Sequence, residues 1–177
     1  MSDMRDVLTG LDRYEEFLEK LDVEIRRMND YRIALIYSDI KYFKYINDTY
    51  GYKSGDKLLK EFASQVTEDN AYLLCAARVY SDNIVMAVRL DNDVTNEEFR
   101  DFIQRQNLEM EDTFREKYMS ARLKFCTGIS IISKGDRSLD PATAVSNANL
   151  ARKVAKEMED TEVVLFDSKM IEGIKKE

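Results

Sequence analysis

Two aspartates, Asp39 and Asp56, bracket the segment with the clearest chemical pattern, DIKYFKYINDTYGYKSGD. Just before it, the short apolar run 32–37 (RIALIY) predicts a buried strand, and Gly55-Asp56 opens a run with helical spacing. Both carboxylates would then lie beyond the end of a sheet strand, where metal and phosphate chemistry is often placed. A strand, a polar loop and a capped helix without any chemistry would produce the same spacing.

The absence of histidine restricts the metal that such a site could hold. Oxygen ligands alone favour magnesium, manganese or calcium over zinc. The two cysteines, Cys75 and Cys126, lie in apolar, strand-like runs and have no C-x-x-C spacing. We therefore expect buried free thiols rather than a disulfide or metal ligands.

Charge and hydropathy limit the classes of partner. The 177 residues carry a formal net charge of −7 and no long block of Lys or Arg, which argues against nucleic-acid binding. No apolar run is long enough for a transmembrane helix or a signal peptide, so we expect no membrane partner and a cytoplasmic location. The length predicts a single domain over residues 1–177.

The elements that must position the two aspartates follow from the apolar periodicity. Helices are predicted over the ranges 11–27, 55–66, 95–118 and 141–158. Strands are predicted over 32–37, 73–78, 84–90, 123–132 and 162–166, and a turn over 134–136. Thr95 and Glu98 form a capping box for the third helix, and Pro141 fits the first turn of the fourth.

The turn formers Ser, Asp and Asn between the second and third strands predict a β-hairpin with its turn in residues 79–83. Strands and helices otherwise alternate along the chain. This order predicts an α+β fold, in which helices flank a mixed, mostly antiparallel sheet.

Nine residues of the opening segment match, in register and without gaps, the pattern D-x-D-x-F-K-x-I-N-D-x-x-G-H-x-x-G-D; they are Asp39, Phe43, Lys44, Ile46, Asn47, Asp48, Gly51, Gly55 and Asp56. The pattern is that of GGDEF domains, the diguanylate cyclases, which this chain therefore resembles. The runs Leu8-Thr9-Gly10-Leu11 and Thr127-Gly128-Ile129-Ser130 resemble further family motifs. The resemblance spans nearly the whole chain and implies a fold like that of nucleotidyl cyclases and polymerase palms.

The signature G-G-[DE]-E-F is broken in this chain. It falls on Tyr80, Ser81, Asp82, Asn83 and Ile84, of which only Asp82 is kept. Tyr80 and Ser81 replace glycines that let the nucleotide approach the backbone, and Asn83 replaces a glutamate with an amide that cannot ionise. The Tyr80 ring either packs into the nucleotide cleft, between the hairpin and the Asp39–Asp56 segment, or projects outward as an anchor for another surface. We expect the first position.

The resemblance implies that Asp39 and Asp82 hold Mg²⁺ in the family. One ends a strand and the other lies at a hairpin tip, so they can converge. The second aspartate of the family pattern is Lys41, which would share a strand face with Asp39 and compete with the metal by pairing with it. Weak Mg²⁺ binding is expected. The two aspartates also fit ordinary strand-end and turn positions.

For nucleotide binding, the resemblance implicates Asn47 and Asp56 at the guanine edge, together with Lys44 and Lys156. Asn47 and Asp56 equally suit an Asx turn and a helix start. The family's phosphate-binding arginine falls on Asp160, which reverses the charge. Its product-inhibition motif, R-x-x-D, falls on Ala71 and Leu74 and is absent.

These residues favour a degenerate GGDEF domain without diguanylate cyclase activity, acting as a nucleotide-binding or protein-interaction module in signalling. GTP or another nucleotide, a protein partner or a second copy of the chain would be its partner. The alternatives are an active cyclase, which makes cyclic di-GMP from two GTP with Mg²⁺, and a purely structural dimerisation domain. Detection of product from GTP would separate the enzyme from the others.

Overall fold

Five strands form one sheet in the computed structural model, which describes residues 5–118, 123–160 and 163–175. The strands are β1 (Tyr31–Lys41), β2 (Leu73–Tyr80), β3 (Asn83–Asp91), β4 (Lys124–Ile132) and β5 (Val163–Leu165). The helices are α1 (Tyr14–Arg27), α2 (Phe43–Tyr50), α3 (Tyr52–Thr67), α4 (Asn96–Tyr118), α5 (Pro141–Lys156) and α6 (Lys169–Lys175), with a short 3₁₀ helix at Lys134–Asp136.

The sheet order is β2-β3-β1-β4-β5, so β1 lies at the centre. β1 pairs antiparallel with β3 and β4, β2 pairs antiparallel with β3, and β4 pairs parallel with β5. The predicted α+β architecture with a mixed, mostly antiparallel sheet is therefore confirmed.

Residues of β1 alternate between two apolar layers, as the period of a strand requires. Ala34, Ile36 and Ile40 face a layer that contains side chains of α2, α3 and α4. Ile33, Leu35 and Tyr37 face the other layer, which contains side chains of α1 and α5. A central strand buried on both faces explains why the run 32–37 is apolar throughout.

Helix α2 occupies the segment that the sequence analysis treats as a loop. The strand continues to Lys41, and the helix begins at Phe43 after a single residue, Tyr42, with a left-handed backbone (φ 66°). Phe43 and Ile46 of α2 are buried, so packing against the sheet stabilises a helix of two turns that is too short to stand out by periodicity.

The other predicted helices and strands are present, and their ends differ from the predicted bounds by a few residues. The hairpin is present, with Ser81 and Asp82 between β2 and β3. The Glu98 amide donates to Thr95 Oγ1 at 3.1 Å, which is one half of the predicted capping box. Glu162, where the last strand was predicted to start, lies outside the described residues. Helix α6 was not predicted.

Two further properties of the described residues bear on the expected classes of protein. Cys75 and Cys126 are buried free thiols, as predicted. Within the described ranges, each helix is too short or too polar to cross a lipid bilayer.

Candidate functional site

The hairpin turn between β2 and β3 is attached to the end of the central strand. Asp82 Oδ2 accepts a hydrogen bond from the backbone N–H of Ile40 at 2.8 Å, which brings its carboxylate next to Asp39. Burial raises the pKa of Asp82 above its ordinary value. The Ile40 hydrogen bond opposes that shift, while the negative charge of Asp39 adds to it.

Asp39 is enclosed by two cations of α5. The residue is only 1% exposed, and Oδ2 accepts from Arg152 Nη1 and, at 2.9 Å, from Lys156 Nζ. The other oxygen, Oδ1, is buried and has no hydrogen-bond partner among the described residues. Arg152 and Lys156 are four residues apart, one turn of α5, so both reach the same carboxylate.

Arg152 is fixed on three sides. Its Nε donates to Asn149 Oδ1 at 2.8 Å, its Nη1 bonds Asp39, and its guanidinium carbon lies 5.4 Å from the centre of the Tyr37 ring. The residue is 5% exposed. An arginine fixed in this way fills the space beside Asp39 with a permanent positive charge.

Arg152 was not among the site residues predicted from the sequence. The available signal was its position on the small apolar stripe of α5, where Ala148, Ala151 and Ala155 are buried. A charged side chain on a buried helix face is rarely left without a partner, so it indicates an acidic residue on the surface that the helix covers.

Lys41 does not take the predicted position against Asp39, and that expectation is wrong. Its Nζ donates instead to the carbonyl oxygen of Met158 at 3.1 Å, beyond the C-terminal end of α5. Carbonyl groups near a helix end lack intrahelical partners and attract cations. Arg152 and Lys156 already neutralise Asp39, which leaves little to draw Lys41 towards it.

Tyr80 is 63% exposed, so the prediction that its ring packs into the nucleotide cleft is also wrong. The ladder between β2 and β3 shifts register between Arg78 and Tyr80, which redirects the end of β2. The ring lines a shallow cleft together with Tyr14 and Arg78, on the α1 side of the hairpin.

The remaining degenerate positions have distinct environments. Ser81 has a left-handed backbone (φ 49°), a conformation that glycine adopts more easily. Asn83 is buried, and within the described part of the chain its Oδ1 has no hydrogen-bond partner. Ile84 is part of the apolar core on the α3 and α4 side.

The predicted nucleotide-binding residues fall into two groups. Asn47 lies against the start of α3, because a Cβ built on Gly55 would come within 1.8 Å of Asn47 Oδ1. Asp56 follows Gly55 and is exposed, as is Lys44 on α2. In the described part of the chain, no hydrogen bond or ion pair joins Lys44 or Asp56 to Asp39, whereas Lys156 bonds it directly.

The donor atoms around Asp39 and Asp82 fit a divalent metal poorly. Asp39 Oδ1 is an available buried oxygen, but Oδ2 is occupied by two cations. Cys126 lies opposite Asp39 in the sheet, and burial raises the pKa of its thiol to about 12, so it stays neutral. Among the residues that the structure describes, no three acidic or thiol side chains form a metal-binding cluster.

The sheet with its flanking helices matches the fold of solved GGDEF domains. The GGDEF domain of DgcB from Caulobacter crescentus, solved in complex with c-di-GMP, superposes with a TM-score of 0.74 at 19% identity over 93% of this chain and 96% of that chain. The family model "Diguanylate cyclase, GGDEF domain" matches residues 3–161, and the chain belongs to this family.

Two relatives are diguanylate cyclases by name. DgcS of Shewanella oneidensis is 33% identical over 91 residues, which cover 50% of this chain and 31% of DgcS. DgcZ of Escherichia coli is 31% identical over 88 residues, which cover 50% of this chain and 30% of DgcZ. The matched segments span about a fifth to a third of the length of such relatives.

Proposed function

We propose that this GGDEF domain does not synthesise cyclic di-GMP and acts as a nucleotide-binding or protein-interaction module in signalling. The observation that carries this proposal is the buried contact of Arg152 and Lys156 with Asp39, the first acidic position of the family's metal site. Two cations bound to that carboxylate compete directly with a divalent ion.

The composition of the hairpin supports the same proposal. Asn83 stands where the family signature has glutamate, and an amide neither accepts a proton near neutral pH nor carries charge to a metal. General acid–base assistance contributes about 10²–10⁴ in rate where it operates. Its loss, together with weak Mg²⁺ binding at Asp39 and Asp82, makes turnover negligible.

Binding of GTP or a related nucleotide is supported by a separate set of residues. Asn47 lies against Gly55, the residue before Asp56, near the junction of α2 and α3, and the half-exposed Lys156 amine offers a positive charge. Asp56 supplies acceptors for the N–H groups of a guanine edge. GTP is an intracellular nucleotide, so such a module would work in the cytoplasm.

The direct test is incubation of the purified protein with GTP and either Mg²⁺ or Mn²⁺, followed by chromatography of the products. An active cyclase such as DgcZ, assayed in parallel, establishes the detection limit. We expect no cyclic di-GMP above the blank. Product that appears with the wild type and disappears with Asp39→Ala would instead identify an active cyclase with a relaxed signature.

Equilibrium binding of a fluorescent GTP analogue tests the module itself. We expect binding to persist in EDTA, because the half-exposed Lys156 amine supplies positive charge without a metal ion. Failure to bind any guanine nucleotide, with no product formed, would favour a protein partner or a structural dimerisation domain.

A further inference from the structure

A long groove crosses the opposite face of the sheet from Asp39. It lies between α3 and α4, and residues of β1 and β3 form its floor, among them Ile36, Met86 and Val88. Its volume is about 940 Å³. These floor residues belong to the core layer of α2, α3 and α4, whereas Asp39 contacts α5 on the other layer.

The groove is extended rather than round. Its α4 wall runs from Glu98 to Phe114, a distance of about 24 Å at 1.5 Å per residue. Phe102 lies on this wall and is 45% exposed, although it is a large apolar side chain. Tyr72, on the opposite side at the start of β2, is also exposed. Exposed aromatic rings beside an apolar floor are typical of a binding surface.

Negative charge dominates the lining. Among the described residues, two arginines line the groove, Arg89 and Arg105. The acidic residues of the lining are Glu68, Asp69, Asp91, Glu98, Asp101 and Glu109. Two of these acids are in ion pairs, Asp91 with Arg89 at 3.4 Å and Asp101 with Arg100 at 2.7 Å, and the lining still carries more negative than positive charge. The groove therefore repels anionic ligands and attracts cationic ones.

This negative charge makes cyclic di-GMP, an anionic dinucleotide, an unfavourable ligand for the groove. Ala71 lies in the lining, at the position where the resemblance would place the arginine of the product-inhibition motif. A dinucleotide with two phosphates would find alanine instead of arginine at position 71, and more carboxylates than arginines around it. The α4 wall is about 24 Å long, at about 1.5 Å per residue. A compact neutral ligand would leave most of this wall uncovered.

We propose that the groove between α3 and α4 binds an amphipathic helix of a partner protein, with an apolar face and lysine or arginine along its flanks. The apolar face would cover the exposed rings of Phe102 and Tyr72, while the basic flanks would meet the acidic lining. A wall of this length accommodates a helix of about 16 residues. This groove would be the surface through which the proposed protein-interaction module binds its partner, so its role rests on that proposed function. It does not require that the domain lacks cyclase activity.

Two synthetic peptides provide the test. Both are about 16 residues long, carry a fluorescent label and have leucines at i, i+3, i+4 and i+7 spacing; one has lysine at the other positions and the second has glutamate. At about 150 mM salt, where distant surface charges are screened, we expect the lysine peptide to bind at least about tenfold more tightly than the glutamate peptide.

Matched variants on α4 locate the binding. Phe102→Ser should weaken binding of the lysine peptide about fivefold, whereas Leu108→Ser, which removes an equally exposed side chain outside the groove, should leave it unchanged. Glu109→Lys should weaken it, whereas Asp112→Lys, an exposed acid on the same helix but outside the lining, should not.

Three results would overturn the inference. The first is no binding of the lysine peptide, or equal binding of both peptides. The second is an equal effect within either matched pair, which would indicate general attraction to an acidic protein. The third is displacement of the peptide by cyclic di-GMP, since the groove would then be an anion site. The cyclase assay is independent of all three, so failure here leaves the proposed lack of synthesis intact.

Discussion

Arg152 of α5 and Asp39 of β1, 113 residues apart in the chain, form an ion pair in which both side chains are almost fully buried. Lys156 binds the same carboxylate oxygen from the next turn of α5. A family position that would bind a metal in an active cyclase is thus neutralised by the protein's own side chains. Breaking this pair should change both stability and metal affinity.

Arg152→Leu is expected to destabilise the domain by up to about 3 kcal/mol, because the buried Asp39 then keeps only Lys156. The same change should tighten Mn²⁺ binding about tenfold, since a competing charge has gone. Urea unfolding and calorimetric titration measure the two effects. Lys153→Leu removes an exposed positive charge from the same helix and serves as the control. Equal Mn²⁺ affinity in the wild type and Arg152→Leu would show that the arginine is not the competitor.

Asp82→Asn should stabilise the protein at neutral pH. Burial raises the pKa of Asp82 in the folded state above its ordinary value of 3.8, so the folded state holds its proton more tightly than the unfolded state does. Protonation of Asp82 therefore stabilises the folded state in full below pH 3.8, the ordinary pKa. This stabilisation is lost as the pH rises through the pKa of Asp82 in the folded state. An asparagine oxygen can still accept from Ile40.

The measurement for Asp82 is the urea midpoint of wild type and Asp82→Asn across the acid-to-neutral range. The advantage of the variant should grow as pH rises and vanish at the acid end. Asp93→Asn, at an exposed loop position, is the control. An advantage that is independent of pH would rule out titration of Asp82 as its cause.

Local patterns were sufficient to predict the sheet and the hairpin, because each strand run has apolar residues bounded by turn formers. The contact between Asp39 and Arg152 depends on how α5 packs across the sheet, and no local pattern encodes that register. The position of Tyr80 was missed for a related reason: a shift in the ladder after Arg78 redirects the strand end. The prediction for Lys41 was wrong because it considered only that Lys41 and Asp39 share a strand face. The Lys41 ammonium can also reach other acceptors, and it donates to the carbonyl oxygen of Met158.

Gly128 lets α5 approach the sheet closely enough for Arg152 to reach Asp39. A Cβ at this position would lie 2.1 Å from the carbonyl oxygen of Ala148 and 2.2 Å from the backbone nitrogen of Arg152. Gly128→Ala must therefore move the helix, and we expect a loss of stability of about 3 kcal/mol or more. Gly135→Ala, where an added Cβ meets nothing within 4 Å, should be close to neutral. Similar unfolding curves for both variants would contradict the close packing of α5.

Ser81→Gly should stabilise the hairpin turn by about 1 kcal/mol, because Ser81 adopts a left-handed backbone that penalises any Cβ. The turn is otherwise held by Arg78, whose Nε donates to the Ser81 carbonyl oxygen at 2.7 Å. Ser81→Ala removes the hydroxyl but keeps the Cβ, so it should give no such gain. Thermal or urea unfolding measures the difference, and a gain of equal size in both variants would assign it to the hydroxyl instead.

Asp56→Asn is expected to lower GTP affinity about tenfold, because a charged acceptor that meets the guanine N–H groups becomes a neutral amide. ATP affinity should be unaffected, since adenine offers no matching pair of donors. Competition against a fluorescent GTP analogue measures both nucleotides. Asp112→Asn removes the same charge from an exposed position on α4 and serves as the control. If the wild type does not distinguish GTP from ATP, Asp56 has no role in base recognition. The alternative explanation of Asp56 as a helix-start residue is already wrong, because α3 begins at Tyr52 and has no acidic residue in its first turn.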